Sequence, residues 1–194
     1  MIFEVLEIVK TELDHYLFQD EAEGAVILEN IAGLDSEGAS EIKDKVVLSL
    51  LNLQEEKTLK NFTNNDSDGD KSTYRHPKVN LNLFFMVCAN RSTYKTALRN
   101  ISKVVEFFQS KKVFTQANSV YERDGNLMEQ ILDFRFSVEL FTPSFEELNY
   151  IWGMFGGKQI PAVFYKLSLI EIESPRISAE GDLISNINRA YKQF

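Results

Sequence analysis

Ile2, Val5, Leu6, Val9, Leu13, Tyr16 and Leu17 recur at three- and four-residue steps, with Glu4, Glu7, Lys10, Glu12 and Asp14 mostly on the opposite side, so residues 1–18 predict an amphipathic helix. The stretch from Gln19 to Asp44 is acidic and punctuated by Gly24, Gly33 and Gly38; inside it, Ala25-Val26-Ile27-Leu28 predicts a short strand between loops. Val46 to Leu53 is apolar on both parities apart from Ser49 and Asn52. A strand covered on both faces reads this way, which places it centrally in a sheet, with Gln54-Glu55-Glu56-Lys57 running on into solvent. Lys60 to His76 is polar throughout and without periodicity, and predicts a long loop.

Pro77 opens a strand in which Val79, Leu81, Leu83, Phe85 and Val87 share one face. Its other face changes from Lys78, Asn80 and Asn82 to Phe84, Met86 and Cys88, so burial should rise along it. Ser92 is placed to accept the first amide hydrogen bonds of the next helix, where Tyr94, Ala97, Leu98, Ile101, Val104, Val105 and Phe108 repeat at helical spacing. After a connection over 110–130, Leu132, Phe134, Phe136, Val138 and Leu140 alternate with Asp133, Arg135, Ser137 and Glu139, a strand with one wet face. Thr142-Pro143-Ser144 halts it. Ser144 and Glu147 stand at capping-box spacing, and the short stripe Leu148, Ile151, Trp152 and Phe155 ends at Gly156-Gly157. Val163, Tyr165, Leu167 and Leu169 share a parity that passes to Ile170 and Ile172, a one-residue slip that implies a bulge near Leu169. Residues 174–194 carry the weakest pattern. This order predicts an α+β (or α/β) fold: a single domain with one mixed β-sheet of about four to five strands and helices packed mainly on one face.

Composition supports one folded core. The chain has 194 residues, 44% of them apolar and 12% aromatic, including fifteen Phe, enough surface to bury and too apolar for intrinsic disorder. No run approaches the roughly 18 uncharged apolar residues of a bilayer span, and Met1-Ile2-Phe3-Glu4-Val5 lacks the basic start of a secretion signal, so a soluble cytoplasmic chain is expected. A net charge of −8, with no basic cluster longer than Lys111-Lys112, disfavours nucleic acid as a partner.

Candidate chemistry is thin. Cys88 is the only cysteine and His15 and His76 the only histidines, which excludes an internal disulfide and a Cys-based zinc site. Asn64-Asn65-Asp66-Ser67-Asp68-Gly69-Asp70 has oxygen ligands and a Gly in EF-hand order, but the twelfth position is Arg75 instead of a bidentate Glu and the flanks are strand-like; it reads as a solvated hairpin loop. His76 stands in that loop without an evident partner, and His15 lacks an i+4 carboxylate because residue 19 is Gln19. Cys88 reads as a small core side chain, Trp152 as core packing on its stripe, and Gly153, Gly156 and Gly157 follow a helix where a phosphate loop would precede one. Asp133, Arg135 and Glu139 read as a wet sheet face. No catalytic, cofactor-binding or metal-ligating residue is assigned, and no cofactor is expected.

Lys45-Val46-Val47-Leu48-Ser49-Leu50-Leu51-Asn52-Leu53 with Glu55-Glu56-Lys57-Thr58-Leu59-Lys60-Asn61, then Pro77 and Leu81-Asn82-Leu83-Phe84-Phe85 leading to Tyr94 and Ala97-Leu98, form one ordered set. Phe107-Phe108-Gln109-Ser110-Lys111, Val113-Phe114-Thr115, Glu147-Leu148-Asn149-Tyr150-Ile151-Trp152-Gly153 and Pro161-Ala162-Val163-Phe164-Tyr165 extend it. Together these resemble the N-terminal domain of the tail-terminator (tube cap) protein of contractile injection systems of the antifeeding prophage and virulence cassette type. The family pattern often has Ser where this chain has Ala162. The resemblance covers residues 1–173 as a single tail-terminator-like domain, with 174–194 as a C-terminal tail available as an interaction arm.

That resemblance implies a structural assembly protein with no catalytic residues, one that binds the distal end of the tube and sheath and stops elongation. It further implies a ring of copies, a hexamer, with inner tube and sheath proteins as partners, no nucleic acid and no membrane. The place of action would be the bacterial cytoplasm, on an injection particle. Two other classes differ in what they require. A baseplate or other assembly adaptor of the same machine would use different partners, and a small-ligand-binding domain would need a pocket of convergent polar groups. In physical terms, a ring needs two different complementary patches per subunit, and open sheet edges can accept a neighbour's strand. The 163–172 strand, the wet face of 132–140 and the termini are the candidate surfaces.

Overall fold

The computed structural model describes residues 2–18, 26–32, 39–56, 65–68, 71–75, 79–120, 134–172 and 177–182. The elements run α1 (Ile2–Leu17), β1 (Val26–Leu28), α2 (Ala39–Ile42), β2 (Lys45–Glu55), β3 (Asn65–Asp68), β4 (Lys71–Arg75) and β5 (Val79–Asn90). They continue α3 (Tyr94–Ser110), β6 (Val113–Thr115), β7 (Arg135–Phe141), α4 (Phe145–Met154), β8 (Ala162–Ile172) and β9 (Ile177–Asp182). Six strands form a sheet in the order β1-β2-β5-β8-β7-β6, and three more form a second sheet in the order β3-β4-β9. The large sheet is mixed: β1 is parallel to β2, whereas β6, β7 and β8 pair antiparallel in turn. The class is the α+β one that the sequence predicts, with more strands.

Two compact units result. Among the described residues, Met1–Gln54 with Leu81–Ile170 holds the four helices and nearly all of the large sheet, and Glu55–Asn80 with Glu171–Phe194 holds the small one.

In the first unit the pleat divides the core in two. Odd positions of β5 and β8 face α3: the rings of Phe85, Phe108 and Tyr165 lie 4.2–6.1 Å apart between centroids, and Tyr16 of α1 meets Phe107 of α3 at 5.3 Å. Even positions of β5 and β8 face α4: Met86, Cys88 and Phe164, with Val47 of β2, cluster with Trp152, and Leu148, Ile151 and Phe155 pack on that cluster. The two long helices therefore share one face, and α4 covers part of the other. Tyr165 is buried, and its hydroxyl has no hydrogen-bond partner among the described residues; burial pushes its ionisation upward.

Local signals mostly act as expected. Burial rises along β5 from exposed Val79 to fully buried Met86, Val87 and Cys88. Ser144 caps α4 in a reciprocal capping box: its hydroxyl accepts from the Glu147 amide at 3.2 Å and its own amide donates to Glu147 Oε2 at 2.7 Å. Gly156 and Gly157 then adopt φ of 82° and 79°, left-handed backbone that terminates the helix.

Four expectations need correction or extension. Lys60–His76 is not simply a loop, since 65–68 and 71–75 are antiparallel strands with Asp68 opposite Lys71. Their residues are nearly all polar, so no alternation betrays the pairing, which backbone hydrogen bonds carry. Thr93, not Ser92, occupies the N-cap of α3, and its side chain makes no cap bond; the Ser92 amide donates instead to Asp44 Oδ1 at 3.0 Å. β2 is not central but lies second in the sheet beside the edge strand β1, and only its first half is covered, with Leu50 and Leu53 exposed. Within 174–194, residues 177–182 form β9, paired antiparallel with β4. The register of β7 with β8 is regular through Ser168, and the side chains at the suggested bulge near Leu169 lie outside the described residues.

Candidate assembly interface

β8 lies between β5 and β7, and its pairing with β7 runs from Phe164 to Ser168, so over those residues both of its backbone edges are used and it cannot accept a neighbour. Here the sequence expectation fails, because alternation reports faces and not a strand's place in the sheet. The outermost strands are the three-residue β1 and β6, and side chains bond to both, although β1 pairs with β2 only over Val46–Leu48, well short of the end of β2 at Glu55. At β6, the Asn118 side chain accepts from the Thr115 amide at 2.8 Å and donates to the Val113 carbonyl at 3.0 Å, imitating the backbone of a seventh strand. At β1, Asp14 Oδ1 accepts from the Val26 amide at 2.8 Å. Strand addition is thus discouraged at the outer sides of β1 and β6.

The wet face of β7 is present, with Arg135 and Glu139 exposed and Ser137 half-buried, while Leu132 and Asp133 lie outside the described residues. Against expectation, Leu140 on the apolar parity is 59% exposed. It belongs to a groove of about 660 Å³ in which Tyr94, Leu98, Ile101 and Val105 of α3 face Leu140, Pro143, Ile160 and Val163. A smaller hollow of about 300 Å³ continues it past Val105 and Leu140 to Gln109, Lys112, Glu139 and Tyr165.

The groove exists because α3 carries two apolar stripes. Ala97, Val104, Phe107 and Phe108 are buried against the sheet, whereas Tyr94, Leu98 and Val105 turn outward. Residues 94, 98, 101 and 105 follow the i, i+4, i+7, i+11 spacing of a stripe of their own. That spacing, visible in the sequence but merged there with the buried stripe, was the available signal. A second bare surface lies on α4, where Phe145, Tyr150 and Met154 are 93%, 63% and 71% exposed.

The chemistry-bearing residues do not converge. Cys88 is fully buried, and burial pushes its thiol up, out of reach of a nucleophile's role. Trp152 is a core residue beside Met86 and Phe164. His15 is exposed on the last turn of α1, and His76 lies outside the described residues. Asn65–Asp68 of the EF-hand-like stretch lie in extended strand. Among the described residues, no three His, Cys, Asp or Glu side chains gather as a metal site, and no helix is long and apolar enough to cross a membrane.

Asp44 organises the junction between α2, β2 and α3, and no sequence signal singled it out. It adopts φ 58°, its carbonyl accepts from Arg91 Nη1 at 2.5 Å, and the Arg91 Nε donates to buried Asn100 Oδ1 at 2.9 Å. The Arg91 guanidinium also lies 5.1 Å over the Phe18 ring. The Ser92 amide hydrogen bond, aided by the Arg91 charge, holds the Asp44 carboxyl below its ordinary value against some opposing desolvation.

The described residues thus present an open apolar groove beside α3 and a bare side of α4. Residues 4–186 match the family of Pvc16 N-terminal domains, and the chain belongs to that family. No curated protein matches it significantly. Among solved structures it is similar to the PVC sheath/tube terminator of an extracellular contractile injection system in its extended state, with TM-score 0.66, 13% identity, and coverage of 100% of this chain and 64% of that one. It is also similar to the anti-feeding prophage tube-terminating cap, with TM-score 0.57, 13% identity, and coverage of 96% and 60%. This chain therefore spans less than two thirds of either relative.

Proposed function

We propose that this chain is a structural tail terminator: it caps the distal end of the inner tube and sheath of a phage-tail-like contractile injection particle and stops elongation. The observation that carries the reading is membership of the Pvc16 N-terminal domain family, joined to a fold shared with a sheath/tube terminator and a tube-terminating cap. The role is one of shape and not of catalysis. Its partners are copies of itself, closed into a ring of six by analogy, together with tube and sheath subunits, and it assembles in the cytoplasm of the cell that builds the particle. The bare groove and α4 face support this by offering surface suited to protein contacts.

The test is particle assembly with and without the chain. With it, particles should have uniform length and carry it at one end, and purified protein should sediment with tube and sheath. Particles of uniform, normal length in its absence, with the chain failing to sediment with either component, would overturn the reading. Sedimentation with baseplate subunits instead would assign it to the adaptor class.

A further inference from the structure

Two of the exposed surfaces are complementary: α4 turns Leu148 and Trp152 toward one of them and presents Tyr150 and Met154 to solvent as the other. One is the groove beside α3, where Tyr94, Leu98 and Val105 form an apolar wall. On the solvent side of that wall stand exposed Lys95 and Arg99. Residues 91–112 carry Arg91, Lys95, Arg99, Lys103, Lys111 and Lys112 against Glu106 alone, a basic segment in a chain of net charge −8. The other surface is the outer side of α4, where exposed Tyr150 and Met154 are accompanied by exposed Glu146 and Glu147. The Tyr150 hydroxyl donates to Glu146 Oε1 at 3.2 Å, which fixes ring and carboxylate together as one feature. The inner side of α4, with Leu148, Ile151 and Trp152, packs on the core, and Leu148 and Trp152 also line the groove.

One surface is thus a concave apolar groove with a basic rim, and the other a convex aromatic and Met ridge with an acidic rim. Tyr and Met are among the side chains that favour interface centres, and opposite charges around them set register. A ridge facing away from its own groove cannot fill it, but can fill that of a neighbour, and a contact between unlike patches repeats head to tail until rotation closes it.

We infer that the α4 ridge of one copy docks into the α3 groove of the next, Tyr150 and Met154 entering beside Leu98 and Val105 with Glu146 toward Lys95 and Arg99. This rests on the terminator reading above and assigns the two patches that close its ring.

Thiol cross-linking of the full chain tests it, because the one native cysteine, Cys88, is fully buried. Leu98→Cys and Tyr150→Cys replace exposed side chains and should fold normally. Under mild oxidation in assembled particles, a mixture of the two single variants should give covalent dimers, and either alone should give none. The double variant should give a ladder ending in a covalent ring. Leu98→Asp should lower ring yield by about tenfold or more with an unchanged circular-dichroism melt, as for a charge placed in an interface centre. Rings that form without cross-links, or at full yield with Leu98→Asp, overturn this pairing and leave the terminator reading intact. A double variant that stops at dimers overturns the head-to-tail geometry. Native protein that never forms rings, even with tube and sheath, overturns both.

Discussion

Asn118 and Asp44 are two surface residues whose side chains stand in for backbone, and each makes a prediction at the scale of one residue. Asn118 satisfies an amide and a carbonyl on the open side of β6. Asn118→Ala should cost about 1 kcal/mol of stability, the net value of such surface bonds, and should leave an unpaired edge. The more telling readout is association: light scattering of concentrated protein should show growth that the native chain lacks, because a bared edge invites strand pairing. Unchanged scattering would mean that the brevity of β6 protects it without help. Asp44 predicts a pH dependence whose sign follows from its lowered folded pKa. The contribution is present above the ordinary carboxylate value of about 3.9 and is lost as pH falls through the folded value. Melting temperature should therefore fall below about pH 4, and Asp44→Asn, which keeps the left-handed backbone and an acceptor oxygen, should lessen that fall. An identical acid limb in the variant would place the sensitivity elsewhere.

At the scale of elements, what the sequence makes legible is what hydrophobic spacing controls. α1, β5, α3, β7 and α4 stand where their periodicity places them because each buries a regular apolar stripe. β3, β4, β6 and β9 are missed for an equally physical reason: three are polar or mixed and one is three residues long, so backbone pairing and not an apolar stripe defines them. The capping box shows how far a local signal can go, since Ser144 and Glu147 act as their spacing requires with no knowledge of the rest of the fold. Ser144→Ala should cost about 1 kcal/mol, seen as a lower melting temperature, and Ser144→Thr should retain most of it. Because the outer side of α4 is bare, any change confined to its first turn should also appear as faster amide exchange in residues 145–148. Equal stability of the Ala variant would show that packing of Trp152 alone sets the helix.

For the whole molecule, the part of the interface that sequence reveals is its residue type, and the part it hides is topology. Leu98 and Leu140 look like core residues by pattern, and only the arrangement of α3 across β8 and β7 leaves them at the surface. Topology likewise decides the fate of the second unit, in which β4 takes β3 on one side and β9 on the other, joining 65–75 to a segment from the far end of the chain. A two-stranded hairpin alone is marginal in water, and a third strand supplies the backbone pairing that makes it persist. A chain ended at Arg176 removes β9 entirely, from Ile177 to Asp182. Amide protection in residues 71–75 should then fall by about tenfold or more, toward that of an isolated hairpin, while β5 and β8 of the large sheet keep theirs. Hydrogen exchange read by mass spectrometry on the two chains side by side distinguishes the outcomes. Protection of 71–75 that survives the loss of β9 would mean that the small sheet does not depend on the closing strand, and protection lost equally from β5 and β8 would mean that the two units unfold as one.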